Sequence, residues 1–199
     1  MIATWPEPIT LRGRHASLVP LAASHAPGLQ AAVQDGRLWE LRVTNVPSLE
    51  EVPAEIARRL ALQAVGSMLP FTVLDSAGRP VGMTTYMHVD ATYRRVEIGS
   101  TWYAKSVQRT ALNTECKRLL LGHAFDVLGC IAVEFRTSSQ NEASRRAIER
   151  LGARFDGTLR NHMRHRDGSL RDTCVYSITA DEWTTVRAHL DALLARPGS

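Results

Sequence analysis

The spacing of the apolar residues changes twice along this chain, and those two changes restrict the fold more than any other feature. From Ser48 through Ile56, Leu60 and Leu62 the spacing is helical. It then becomes strand-like. "PFTVLD" and "PVGMTTYMHVD", joined by the turn "SAGR", read as two strands, and "RRVEIGSTWYA" reads as a third after a turn near Asp90. At Leu112 the helical period returns. Leu112, Cys116, Leu119, Leu120, Ala124 and Val127 recur at steps of three and four, which puts them on one face of a helix ending at Gly129.

The flanking segments extend the pattern. "PITLRGRHASLVPL" alternates as a strand with Leu11, Leu18 and Val19 as its apolar positions, and Ser24 is placed to cap a helix running toward Trp39. Ser48 and Glu51 form a capping-box pair for the second helix. Downstream, "CIAVEFRT" is a buried strand, and "NEASRRAIERLGA" is a helix with Asn141 as cap and Ala147, Ile148 and Leu151 inward. Strands from Phe155 to Arg164 and Arg171 to Ile178 form a hairpin around Asp167-Gly168, and a last helix begins near Asp181. The order is strand, two helices, three strands, helix, strand, helix, two strands, helix. This is an α/β chain with a mixed sheet covered by helices on its faces. No repeat or linker interrupts it, so residues 1–199 are expected to form one domain.

Composition narrows the function classes. Apolar residues at 44% and charged residues at 22% belong to a globular chain, and no apolar run reaches the roughly 20 residues needed to span a bilayer. The opening "MIATWPEPITLRGRH" lacks the basic-then-apolar order of a signal peptide, so a cytoplasmic location without membrane partners is expected. Cys116, Cys130 and Cys174 are odd in number and lack paired spacing, as reduced core cysteines do. His123 falls in an apolar stripe, and His162 and His165 face opposite sides of one strand, so no metal is expected. His88 ends a strand and is placed to approach a site by position alone.

The net charge of +4 is almost wholly arginine, since Lys105 and Lys117 are the only lysines among 24 basic residues. That bias follows from a GC-rich genome or from an anionic ligand gripped by guanidinium forks. The nearest thing to a nucleic-acid surface, "LRNHMRHRDGSLRD", also reads as the hairpin with charged outward faces, so nucleic acid is not the expected partner. A homodimer is compatible with the chain.

The stretch "QRTALN" lies between a strand and the long helix. Backbone N–H groups at Thr110, Ala111, Leu112 and Asn113 are then free to hold an anion such as a pyrophosphate, with a guanidinium from Arg109 and a hydroxyl from Thr114. The same residues also suit a plain helix start capped by Thr110 or Asn113.

"VEIGSTWYAKSVQRTALNTECKRLLLGHAFD" followed by "NEASRRAIERLGARFDGTLRNH" resembles the GNAT superfamily of N-acetyltransferases, in the branch around the RimJ and RimL ribosomal-protein acetyltransferases. The likeness runs from Leu11 to Trp183. It implies a mostly antiparallel central sheet splayed at an acetyl-CoA cleft, with acetyl-CoA as acetyl donor and a primary amine as acceptor. The family's Gln/Arg-x-x-Gly-x-Gly/Ala segment falls on Gln108, Ala111 and Asn113, so both glycine positions are replaced. The resemblance further implies that main-chain groups of Trp102 and Tyr103 pair with the pantetheine arm, and that Asn141 contacts it from the other side. Asn141 reads equally as a simple cap.

Deprotonating the amine calls for a base, and Glu97, inside an otherwise apolar strand, is the candidate. Gly99, two residues on, is read as the bulge that opens the strand. The family's acidic tyrosine aligns with Ile148, so Ser144, one turn earlier, is the candidate acid. Cys116 points into the helix core and is no nucleophile. The acceptor is a protein amino terminus or a small amine, and Ser24 to Met68 form its side of the cleft. The alternative is a catalytically weak or inactive module that only holds acyl-CoA.

Overall fold

The computed structural model describes residues 5–40 and 46–196. Among the described residues eight strands form one sheet: β1 (Leu11–Arg12), β2 (Ala16–Pro20), β3 (Met68–Asp75), β4 (Pro80–Asp90), β5 (Arg95–Tyr103), β6 (Ala132–Ser138), β7 (Arg154–Arg164) and β8 (Leu170–Thr179). They lie in the order β1-β2-β3-β4-β5-β6-β8-β7. Every neighbouring pair is antiparallel except β5 with β6. Five α-helices among the described residues accompany the sheet: α1 (Ala26–Gln34), α2 (Val52–Ala64), α3 (Ala111–Gly122), α4 (Glu142–Arg150) and α5 (Trp183–Leu194). The mixed, mostly antiparallel sheet with helices on both faces is the architecture expected from the sequence.

Strand alternation sorts the helices between the two faces. Thr85 meets Arg59 of α2, whereas the next residue, Tyr86, points the other way and donates to the Leu120 carbonyl of α3. Tyr176, facing α3's side of the sheet, accepts from Arg145 of α4. The core fills both layers. Leu18, Leu29, Ile56, Phe71 and Met83 are buried with Leu120, Leu121, Val133 and Ile178, each side chain worth about 1.5–3 kcal/mol of hydrophobic stabilisation.

Three sequence expectations change. The first strand is a tight hairpin, β1 against β2 with Leu11 opposite Leu18. Its turn is held from outside: the Glu115 carboxylate of α3 accepts the N–H groups of Arg14, His15 and Ala16 at 2.8, 2.6 and 2.8 Å. Gly13 permits that approach, because a Cβ there would lie 2.3 Å from the carboxylate carbon. Ser24 caps nothing. It lies in a 3-10 turn, Ala23–His25, and α1 ends at Gln34, before Trp39, with Gly36 just beyond at φ +93°. Ser48 and Glu51 do exchange reciprocal bonds of 2.8 and 3.4 Å, but these close a turn, and α2 starts only at Val52. Part of the span assigned to the acceptor, residues 41–45, lies outside the described residues.

Candidate active site

Strands β5 and β6 pair at three positions only: Arg95 with Ala132, Val96 with Val133, and Glu97 with Glu134. Beyond Glu97 the two strands part. Ser100 takes φ +46° and the β4–β5 register slips between Met83 and Thr85, which is a bulge. Arg59, 1% exposed, pins it by donating to the Ser100 carbonyl (3.1 Å) and the Thr85 hydroxyl (2.6 Å), its charge balanced by Glu55 at 2.7 Å. The bulge is therefore at Ser100, not Gly99. Gly99 instead makes room for Glu97, since a Cβ there would lie 2.8 Å from the carboxylate oxygen. The parted strands enclose a cleft of ≈ 650 Å³ lined by, among others, His88, Glu97, Trp102, Asn113, Asn141 and Arg171.

Backbone groups of β5 divide between two neighbours. Trp102 sits opposite Met83, and the Ala104 N–H donates to the Val81 carbonyl at 2.8 Å. Antiparallel alternation thus turns the main chain of Trp102 toward β4 and that of Tyr103 toward the cleft. Of the two residues expected to offer main-chain groups, only Tyr103 presents them there. The Gln108 side chain already donates to its carbonyl at 2.9 Å. Trp102 contributes its indole instead, whose buried Nε1–H has no partner among the described residues.

At the start of α3 the expected residues separate into two groups. Thr110 is the N-cap: its hydroxyl accepts the Leu112 N–H at 3.3 Å and donates to the Val107 carbonyl. Thr114 is buried, and its hydroxyl accepts from Arg150 of α4 at 3.3 Å, so it offers no hydroxyl to the cleft. Ala111 is also buried, with its methyl group inside the protein, and Leu112 packs into the core. Gln108, Arg109 and Asn113 do line the cleft. Arg109 has φ +62°, the left-handed region that favours glycine, in a segment with no glycine.

Glu97, 4% exposed, is not the isolated carboxylate its strand implied. His88 Nδ1 lies 2.7 Å from Oε2, and Arg136 Nε lies 3.4 Å from the same oxygen. A regular strand would have placed His88 on the opposite face, because Glu97 pairs with Met87. The strand is not regular there: the register slips between Met87 and Asp90, and His88 takes φ +47°, which brings the imidazole round to Glu97. That hydrogen bond raises the His88 pKa against a smaller opposing effect of burial. More than half of the His88 side chain, 57%, is exposed. Position alone pointed to His88 in the sequence; the contact with Glu97 did not follow from it, because strand parity argues against that pairing.

Across the cleft, Asn141 caps α4 by accepting the Ser144 N–H at 3.0 Å, and both residues line the cavity beside Ile148. Cap and cleft-lining residue are one and the same. Its carboxamide oxygen is engaged, leaving Nδ2–H to face a ligand. Lys117, buried in the cleft wall, donates to the Thr101 hydroxyl at 3.0 Å, and burial draws its pKa down to about 8. Cys116 is fully buried, and burial pushes its thiol up to about 12. Among the described residues no group of three or more metal-ligating side chains converges, and no helix is long and apolar enough to cross a membrane.

Comparison with known proteins follows this geometry. The family profile described as "Acetyltransferase (GNAT) domain" matches residues 16–154. A curated relative, "Putative ribosomal N-acetyltransferase YdaF" of Bacillus subtilis, is 31% identical over 106 residues, 53% of this chain and 57% of that protein. The matched stretch thus spans little more than half the length of that relative. The crystal structure of a GCN5-related N-acetyltransferase from Brucella melitensis superposes with TM-score 0.85 at 32% identity, covering 96% of this chain and 87% of that one. RimJ of Mycobacterium smegmatis, solved in complex with CoA-disulfide, shares the fold at TM-score 0.77 and 24% identity, covering 97% of each chain. With its profile match covering most of a sheet that splays beyond Glu97, the chain belongs to the GNAT family of acetyltransferases.

Proposed function

We propose that this chain transfers an acetyl group from acetyl-CoA to a primary amine, of a protein amino terminus or a small molecule, by direct attack in a ternary complex. The observation that carries the reading is the parting of β5 and β6 beyond Glu97, with the start of α3 at the mouth of the gap and a buried carboxylate at its apex. The described strands from residue 11 to residue 179 share one sheet, which supports a single unit over the chain.

The residues present fit acetyl-CoA. The N–H groups at the start of α3, with Arg109 and Asn113, suit a pyrophosphate. Tyr103 main-chain groups and Asn141 Nδ2 suit the amides of the pantetheine arm, in the manner of an added strand. When bound, the thioester supplies an electrophilic carbonyl carbon. Glu97 is the base, and His88 hands the amine's proton on to solvent, its exposed ring bridging the buried carboxylate and water. Arg136 holds the carboxylate in place. Ser144 is the acid candidate, with a modest role, because a thiolate of pKa about 8.5 leaves readily near neutral pH.

The inactive-module reading draws on Ile148, at the position aligned with the family's tyrosine, and on the missing glycines. The burial of the Ala111 methyl away from the cleft weakens it. A thiol-release assay with acetyl-CoA across a panel of amines is the test. Release that depends on the amine and falls in the Glu97→Gln variant is the expected result, whereas tight acetyl-CoA binding without release to any amine would favour the module.

A further inference from the structure

Alternation along β5, β6 and β8 places Glu97, Glu134, Arg136, Thr173 and Arg171 on one face of the sheet, the face that carries α2. Most of these groups satisfy one another: Arg136 bridges Glu97 and Glu134, Arg95 reaches Glu134, and the Thr173 hydroxyl meets His162 Nδ1 at 3.2 Å. Arg171 is the exception. Its guanidinium lines the cleft, its Nε–H is fully buried without a hydrogen-bond partner, and no carboxylate among the described residues pairs with it. A buried donor left empty costs about 1–3 kcal/mol, more when charged, so a half-buried guanidinium with no hydrogen-bonded anion marks a place where one fits.

We infer that Arg171 is the binding subsite for a carboxylate carried by the acceptor amine, so that the preferred acceptor is an amino-carboxylate whose ammonium faces Glu97 while its carboxylate faces Arg171. The inference rests on the acetyltransferase reading above and deepens it. A carboxylate fits better than a phosphate for two reasons. One planar guanidinium matches it fork to fork. Glu97 is also near enough to act on the charge of Arg171, and that negative charge would repel a dianion about twice as strongly as a carboxylate. The groups that suit the nucleotide end of acetyl-CoA, Arg109 and Asn113, belong to the start of α3, a helix packed on the other face of the sheet, where Tyr86 donates to the Leu120 carbonyl. Nearby, Arg166 at the tip of the β7–β8 hairpin reaches Glu51 beside the start of α2 at 2.8 Å, which bounds the acceptor side and favours short ligands or chain ends over internal lysines.

Two sources of such a carboxylate exist, a free amino acid and an acidic residue near a peptide's amino terminus. Calorimetric titration of the CoA-saturated protein separates them. The probes are glutamate, aspartate and glycine against their amides, and a tripeptide beginning Ser-Glu against Ser-Gln. One source should show a preference of about tenfold or more for the carboxylate over its amide, Arg171→Gln should bring that ratio to near one, and Arg171→Lys should retain part of it. Equal binding of carboxylate and amide, or no binding of either source, overturns the proposal. So does an Arg171→Gln variant that loses CoA affinity while keeping the discrimination. A carboxylate preference without thiol release would leave this subsite standing and sink the acetyltransferase reading instead, while thiol release to all amines alike does the reverse.

Discussion

Two buried glutamates, Glu115 and Glu97, sit in comparable places and are satisfied in opposite ways. Each interrupts an apolar stretch of a central element, and they are 7% and 4% exposed. Glu115 receives three backbone N–H groups from the β1–β2 turn, donors that never titrate and cannot move without unfolding the hairpin. Glu97 is held by an imidazole and a guanidinium at the wall of an open cleft, and the imidazole is largely in water. Burial alone does not distinguish a structural carboxylate from a chemical one. The partners do: fixed main-chain donors make a clamp, and titratable side chains with access to solvent make a proton path.

The sharpest way to break this contrast is to remove both carboxylates in turn. Glu115→Ala leaves three turn N–H groups without their acceptor and should cost about 3–4 kcal/mol of stability, read from the denaturant midpoint. A loss below about 0.5 kcal/mol would mean that water replaces the clamp. Glu97→Gln should lower turnover about 10²-fold, equivalent to about 2.7 kcal/mol of transition-state stabilisation, while moving the same midpoint by less than about 1 kcal/mol. If the two variants lose similar stability, the distinction between clamp and proton path fails.

Just before the helix that carries Glu115, Arg109 sharpens the comparison. Arg109→Gly removes the guanidinium but supplies the residue suited to φ +62°. Acetyl-CoA affinity should fall about tenfold by calorimetry, with thermal stability no lower than that of Arg109→Ala. Undiminished affinity would take Arg109 out of the cofactor site.

The smallest effect is a pH dependence carried by His88, the hydrogen-bond partner of Glu97. The hydrogen bond to Glu97 raises the His88 pKa above 6.5, so the folded protein binds that proton more tightly than the unfolded chain does. The resulting stabilisation is complete below about pH 6.5 and disappears as pH rises through the folded value. Glu97→Gln should lower the His88 titration midpoint seen by NMR and shift the acid limb of the turnover profile toward lower pH. An unmoved midpoint would uncouple the pair.

Much of this was legible before any coordinates, and the exceptions share a cause. The three strands, the long helix at Leu112 and the capping role of Asn141 follow from side-chain period and local hydrogen bonding, which the sequence displays directly. Glu97 was readable as a charge inside an apolar strand. His88 was readable by position, but its turn toward Glu97 was not, because its φ of +47° overrides the parity that would have turned it away, and nothing local to "YMHVD" announces a left-handed histidine. Arg59 and Glu115 escaped for another reason: each acts on main-chain atoms distant in sequence, and spacing along one helix cannot show that. The hairpin at Gly13 depends on Glu115 roughly a hundred residues later, so it read as one straight strand.

The three-pair contact between β5 and β6 also bears on how the molecule opens. It makes the eight-stranded sheet two leaves, β1–β5 and β6–β8, stitched along a seam shorter than any strand on either side except β1. Amide hydrogens next to such a seam exchange through local separation of the leaves, at a lower free-energy cost than global unfolding. A ligand arm hydrogen-bonded to Tyr103 on one leaf and Asn141 on the other lengthens the stitching. Occupancy of the cleft thereby decides whether the two leaves behave as two cooperative units or as one.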